Sequence, residues 1–168
     1  MDVRQRRLIS DHQALLDLAN GNPFIEVQTT CASHDRYTIV YHCKGLLWLP
    51  GRPRPAVTTE HRVDVYLHAD YPRLPPRLQW LTDIFHPNIL PPKLNGGVCI
   101  GKWTPAETLD RLIIRIGEMV QYKNFSTEDA LNPEAAAWAD QNRRALPVDN
   151  TPLTRELDPA LGIILGVK

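Results

Sequence analysis

The chain lacks the features that mark metal-stapled, membrane-embedded or nucleic-acid-coating proteins. Its 168 residues hold only three cysteines and six histidines, with no C-x-x-C and no H-x-x-x-H spacing. Neither a disulfide framework nor a metal site is therefore expected. No charge of one sign dominates, since 19 Lys and Arg balance 19 Asp and Glu. Nothing global then argues for nucleic acid or an anionic membrane as a partner. No stretch approaches the roughly 20 apolar residues of a membrane span. The opening MDVRQRRLISD is charged with no apolar run behind it, so no secretory signal is expected. Repeats and low-complexity tracts are absent too. A soluble, cytoplasmic protein in a reducing compartment fits these absences.

What is present suffices for one domain, long enough to bury about two thirds of its unfolded surface. We read residues 1–147 as the core domain and 148–168 as an irregular tail marked by Pro152 and Pro159, whose apolar LGIILGVK end is expected to pack on the domain. Leu8, Leu15, Leu16 and Ala19 recur at helical spacing before the breakers Asn20-Gly21-Asn22-Pro23, which predicts a helix over about 4–20. Period-two runs through Ile25–Cys31, Tyr37–Cys43 and Val63–Ala69 predict strands, with Leu78 and Trp80 marking a short fourth. The first two are separated by only four residues and should be antiparallel. LPGRPRPA, residues 49–56, reads as a loop. Thr104, Pro105 and Glu107 form a capping-box pattern ahead of the stripe Leu109, Leu112, Ile113, Ile116 and Val120. A late helix should start after Asn132-Pro133 and run to about Ala145. The class is α+β: an N-terminal helix, a four-stranded antiparallel meander, an active-site loop, then C-terminal helices.

Chemistry concentrates in Phe85–Pro105, FHPNILPPKLNGGVCIGKWTP. It sets Cys99 in a glycine-flanked loop downstream of a His-Pro-Asn turn. A thiolate is the strongest neutral-pH nucleophile among side chains, and a thioester can later pass its acyl group to an amine. Cys31 and Cys43, in strand-like runs, read as buried and unreactive. Asn88 offers a neutral amide donor able to stabilise an oxyanion, or is simply a turn residue bonding its own backbone. Gly96 and Gly97 let backbone approach Cys99, and Lys102 is the one evident neighbouring cation. His86 reads as structural rather than as a general base. Arg4, Arg6 and Arg7 form either a solvated helix face or a docking surface for an acidic partner.

Five motifs in register resemble the ubiquitin-conjugating enzymes over about residues 4–145: Tyr71-Pro72 with Pro75-Pro76, His86-Pro87-Asn88, Gly97-Val98-Cys99-Ile100, Trp103-Thr104-Pro105 and the acidic run Glu128-Asp129-Ala130-Leu131-Asn132-Pro133-Glu134. The resemblance implies the same fold. It also implies that a ubiquitin-like modifier is taken from an activating enzyme as a thioester on Cys99 and handed to a lysine or other amine of a protein target, with no cofactor on this chain. It assigns Asn88 to the oxyanion or to loop order, and Asp129 to the incoming amine, against a plainer reading of Asp129 as a helix-flanking acid; for Glu128 the plainer reading is preferred. His86, Pro87, Gly97 and Trp103 become supports of the active site, and Arg4, Arg6 and Arg7 a face for the activating enzyme.

The departures are informative as well. Leu90-Pro91-Pro92-Lys93 reads as an insertion, the cysteine-to-tryptophan segment is short, the LPGRPRPA loop replaces the usual elements before the third strand, and a second C-terminal helix is not evident. These resemble divergent bacterial members that travel with their own activating enzyme and modifier, some in antiphage defence. Two rivals stand beside this reading: a catalytically silent, modifier-binding relative, and a cysteine hydrolase pairing Cys99 with His86, His61 or His68.

Overall fold

The computed structural model describes residues 1–29 and 31–154. Helix α1 (Val3–Ala19) opens with Asp2 accepting from the Gln5 N–H while Gln5 reaches back to the Asp2 N–H. That reciprocal cap satisfies two amides that the helix leaves unpaired. Strands β1 (Ile25–Gln28), β2 (Arg36–Tyr41), β5 (His61–Tyr66) and β6 (Arg77–Trp80) form one antiparallel sheet in the order β1-β2-β5-β6. The expected meander is therefore present. It carries one addition between its second and third strands, a two-stranded hairpin of β3 (Gly45–Leu47) and β4 (Ala56–Thr58). Most of the proline-rich 49–56 segment is the tip of this hairpin. Three-residue strands are too short to show alternation, so the sequence pattern hid them.

Helix α2 (Leu109–Val120) lays Leu109, Leu112, Ile113, Ile116 and Val120 into the core against Ile39, Tyr41, Val63, Val65 and Trp80. Its start corrects the expected capping box. Thr104 makes only a turn, accepting from the Ala106 N–H on Oγ1 at 3.2 Å and from the Glu107 N–H on its carbonyl at 3.0 Å. The helix begins four residues later, after Thr108. The Glu107 carboxylate is held by Arg115 and cannot turn back to cap. Asp11 of α1 serves the Leu109 N–H instead, at 3.2 Å. Helix α3 (Pro133–Gln141) is capped by Asn132 and stops short of the expected Ala145; a 3-10 turn, Arg143–Ala145, follows. Ala135 and Ala139 of α3 join Leu46, Phe85 and Tyr122 in a second apolar cluster.

Strand ends also differ from expectation. Thr29 and Cys31 lie beyond β1, Cys43 beyond β2, and Leu67 and Ala69 beyond β5. Of the tail, residues 148–154 lie against the domain: Leu153 is buried in the main core, its carbonyl accepts from Asn22 Nδ2, and the Val148 N–H donates to Gln121. The LGIILGVK end falls outside the described residues.

Asp11, 2% exposed, joins these layers. One carboxylate oxygen accepts from Arg7 Nε and from the Tyr71 hydroxyl, both at 2.6 Å, and the other from Leu109. Burial together with this carboxylate pushes the Tyr71 phenol far above its usual range. Arg7 carries the network on to the Pro105 and Glu107 carbonyls, each at 2.5 Å. Removing the carboxylate would strand a part-buried guanidinium, a hydroxyl and a helix-start amide. Asp11→Ala should cost about 3–5 kcal/mol of unfolding free energy, read as a lower urea midpoint; a change under about 1 kcal/mol would show the network to be incidental.

Candidate active site

The His-Pro-Asn turn is built inward. His86 is fully buried and its Nδ1 accepts from the Asn88 N–H at 3.0 Å. Tyr122 lies against the ring at 4.6 Å between centroids. Burial drives the His86 imidazole down to about 3, so it is neutral at ordinary pH. The Pro87 carbonyl accepts from the Asn132 N–H at 3.1 Å, which ties the turn to the cap of α3. The Asn88 carbonyl accepts from the Cys99 N–H at 2.9 Å, and the Leu90 N–H donates to Gly97 at 2.8 Å. Cys99 therefore sits on a short ladder directly opposite Asn88.

The Asn88 side chain, nearly buried, is clamped to a second segment. Its Oδ1 accepts from the Ser126 N–H at 2.8 Å and its Nδ2 donates to the Ser126 carbonyl at 3.0 Å. This pins 124–129 over the thiol, and the second Nδ2 hydrogen remains for another acceptor. Thr127 and Arg143 both bond Asp140, which secures the same segment to α3. Between the two segments runs a cleft of about 300 Å³ whose lining includes Asn88, Cys99, Arg115, Ser126, Glu128 and Asp129. Asp129 holds a left-handed φ of 50°, a conformation that is costly for a residue with a Cβ but commoner for Asp than for most. A larger cavity of about 600 Å³ lies on the open face of the sheet by Arg36, Thr38, Asp64 and Tyr66. Its lining holds no cysteine, so it lacks the thiol this chemistry needs.

The structure thus brings Cys99, Asn88 and Asp129 together, with His86 and Pro87 close beneath. Among the cysteines Cys99 is exposed, Cys31 half-buried and Cys43 buried, its thiol pushed up to about 12 chiefly by desolvation. Trp103 lies beyond the loop, donating from Nε1 to the Pro72 carbonyl at 2.8 Å. Gly96 serves a purpose other than the one expected: with φ +66°, a Cβ there would stand 2.6 Å from the Trp80 carbonyl, so it admits β6 rather than Cys99. The inserted segment closes as a 3-10 turn, Pro92–Leu94, beside it.

Two expectations need correction. Lys102 is not the cation at the cleft; Arg115 of α2 is, and sequence reasoning missed it because a contact between helix and loop leaves no local pattern. The basic trio on α1 is not one surface. Arg7 is spent on Asp11, Tyr71 and two carbonyls, and Arg4 donates to the Leu67 and His68 carbonyls. Arg6 alone is exposed without a partner among the described residues.

The hydrolase alternative finds no assembled dyad, since no histidine lines the cleft. His61 is buried with Nε2 at the Cys43 carbonyl, and His68 Nε2 meets the Pro75 carbonyl. Burial also lowers His61, to about 4. Both buried rings, His61 and His86, are neutral in the fold, whereas an unfolded imidazole takes up a proton near pH 6.5. Their contribution is therefore complete above pH 6.5 and lost as pH falls toward 4. Unfolding free energy should drop there by up to about 1.4 kcal/mol per pH unit for each ring. Urea titrations at pH 7, 5.5 and 4.5 measure this, and a flat profile would contradict the buried neutral assignment.

A sequence profile described as ubiquitin-conjugating enzyme matches residues 57–148, a span containing Asn88, Cys99 and Asp129. Among solved structures, the E2 domain of a Toxoplasma gondii ubiquitin conjugating enzyme is similar at 25% identity and TM-score 0.57, covering 83% of this chain and 89% of its own. A Trypanosoma cruzi protein described as a ubiquitin conjugating enzyme is similar at 20% identity and TM-score 0.59, covering 85% and 94%. At that identity the second likeness is one of fold.

Proposed function

The chain belongs to the ubiquitin-conjugating enzyme family, and we propose that Cys99 receives a ubiquitin-like modifier from an activating enzyme and transfers it to an amine of a target protein. The observation that carries this is the exposed Cys99 thiol in one cleft with the Asn88 amide and the Asp129 carboxylate. In charging, the Cys99 thiolate attacks the carbonyl carbon of the modifier's thioester on the activating enzyme; the new S–C bond forms and the activating enzyme's thiolate leaves. In transfer, an amine attacks the same carbon, loses a proton, and expels Cys99 as thiolate. Both attacks pass through an oxyanion, which the free Nδ2 hydrogen of Asn88 can meet. Its clamp on Ser126 keeps that amide in place. Asp129 receives the lysine, which arrives as an ammonium and must be positioned and deprotonated.

Arg6 is the α1 charge left to greet an activating enzyme. Free cysteines, with no helix among the described residues long and apolar enough to cross a membrane, support a reducing, cytoplasmic setting. The added hairpin and the proline-rich insertion support placement with the divergent bacterial members that work with a dedicated activating enzyme and modifier, including those in antiphage defence. The silent-relative reading loses ground to the retained Cys99 and Asn88.

Mixing the protein with an activating enzyme, modifier and ATP should give an adduct that thiol reductant releases. Cys99→Ser should give either no adduct or a reductant-resistant ester, while Cys31→Ser and Cys43→Ser charge normally; reductant-sensitive charging of Cys99→Ser at the parent rate would refute the assignment.

From preformed thioester, Asn88→Ala should slow transfer to both lysine and hydroxylamine, on the order of a hundredfold if one oxyanion donor is lost. Asp129→Ala should slow lysine more than hydroxylamine and recover partly at higher pH. Single-turnover discharge against pH separates the two roles. Parent-rate discharge of Asp129→Ala to lysine throughout would leave that carboxylate a helix-flanking acid.

A further inference from the structure

Cys99 is followed by a very short run, Ile100-Gly101-Lys102, before Trp103 anchors on Pro72. Gly101 has φ +72° and open space where a Cβ would project, so it is a pivot rather than a packed residue. Neither Gly101 nor Lys102 makes a hydrogen bond among the described residues. The chain after the nucleophile is thus held at few points, and one of them reaches across from α2. Arg115 donates from Nη1 to the Ile100 carbonyl. Its Nε and Nη2 meet the two carboxylate oxygens of Glu107 at 3.0 and 2.9 Å. The pair is largely shielded, with side chains 25% and 18% exposed. Glu107 is itself secured, because Arg7 donates to its carbonyl.

We propose that Arg115, locked by Glu107, is a positioning residue for Cys99: it grips the Ile100 carbonyl and so fixes the peptide after the nucleophile to α2. The Cys99 amide is held from the other side by the Asn88 carbonyl, so the thiol hangs between two anchors in one cleft with Arg115. Only a fork of N–H donors reaches a carbonyl and a carboxylate at once; lysine offers a compact head on a flexible stem and can serve one of them well. An apolar residue at 115 would suffice if packing were the purpose. Displacement of a reacting atom by about 1 Å can cost on the order of a hundredfold in rate, so loosening this anchor should register in the chemical step.

The role in transfer rests on the proposed thioester chemistry, and the test separates the two. Amide exchange is first followed without partners. Arg115→Ala should speed exchange of the Cys99 amide, which the Asn88 carbonyl protects, about tenfold or more while the α2 amides keep parent protection. Then preformed thioesters are discharged to increasing free lysine. The maximal rate should fall about tenfold or more, with the half-saturating lysine concentration within about twofold of parent. Arg115→Lys and Glu107→Gln, each leaving one contact in place, should fall between parent and Arg115→Ala in both measurements. Unchanged exchange at the Cys99 amide in Arg115→Ala overturns the anchor. Parent-like maximal rates, or losses that follow a general loss of α2 protection, overturn the positioning role. A parent protein that forms no thioester overturns the functional reading and the role in transfer with it, while the exchange data still decide whether the anchor exists.

Discussion

A buried carboxylate is expensive, because the charge gives up water and must be repaid by partners at close range. Asp11 meets that cost with three donors, one local and two distant in the chain: Arg7 on its own helix, the Tyr71 hydroxyl from the connection after β5, and the first amide of α2. The consequence is geometric. Helix α1, the Tyr71-Pro72 corner and the start of α2 cannot shift independently without breaking a charged hydrogen bond. Arg7 then extends the same constraint to the Pro105 and Glu107 carbonyls, which end the loop that carries Cys99. The scaffold under Cys99 is fixed by electrostatics at this corner and by apolar packing of α2 on the sheet.

The far side of the cleft is fixed by a different device. Asn88 spends both ends of its amide on the backbone of Ser126 and its carbonyl on Cys99. One side chain therefore sets the distance between the thiol strand and the 124–129 segment. Buried His86 supports it from below by accepting the Asn88 N–H, a role that only a neutral imidazole nitrogen can fill. Desolvation secures that neutrality. Acid chemistry by His86 is excluded for the same reason that its structural part works.

The fold was largely legible in the chain because its main elements carry strong periodic signals. The alternation through Ile25, Tyr37 and Val63 and the stripe from Leu109 to Val120 each reflect burial of one face, and burial is what the structure maximises. That Cys99, Asn88 and Asp129 lie at one cleft agrees with the resemblance their contiguous motifs carry. What escaped is interaction between segments far apart in sequence. The Thr104–Glu107 pattern looked like a cap, yet Glu107 had a better partner in Arg115 and the helix start had one in Asp11. The arginines at 4, 6 and 7 looked like one surface, but a helix turns about 100° per residue, which sends Arg4 and Arg7 inward and Arg6 outward. The β3–β4 hairpin is too brief for any period to register.

Helix α1 divides cleanly into two faces. Arg4, Arg7, Leu8, Asp11 and Leu15 are committed to the domain, while Arg6, Ile9, Ser10, Gln13, Leu16 and Asp17 face outward. The outward stripe is uncoupled from the charged network by nearly half a helical turn. Selection, or a protein engineer, can therefore rewrite it residue by residue without passing through unfolded intermediates. Substitutions along the outward stripe should accordingly cost less stability than substitutions along its inner counterpart.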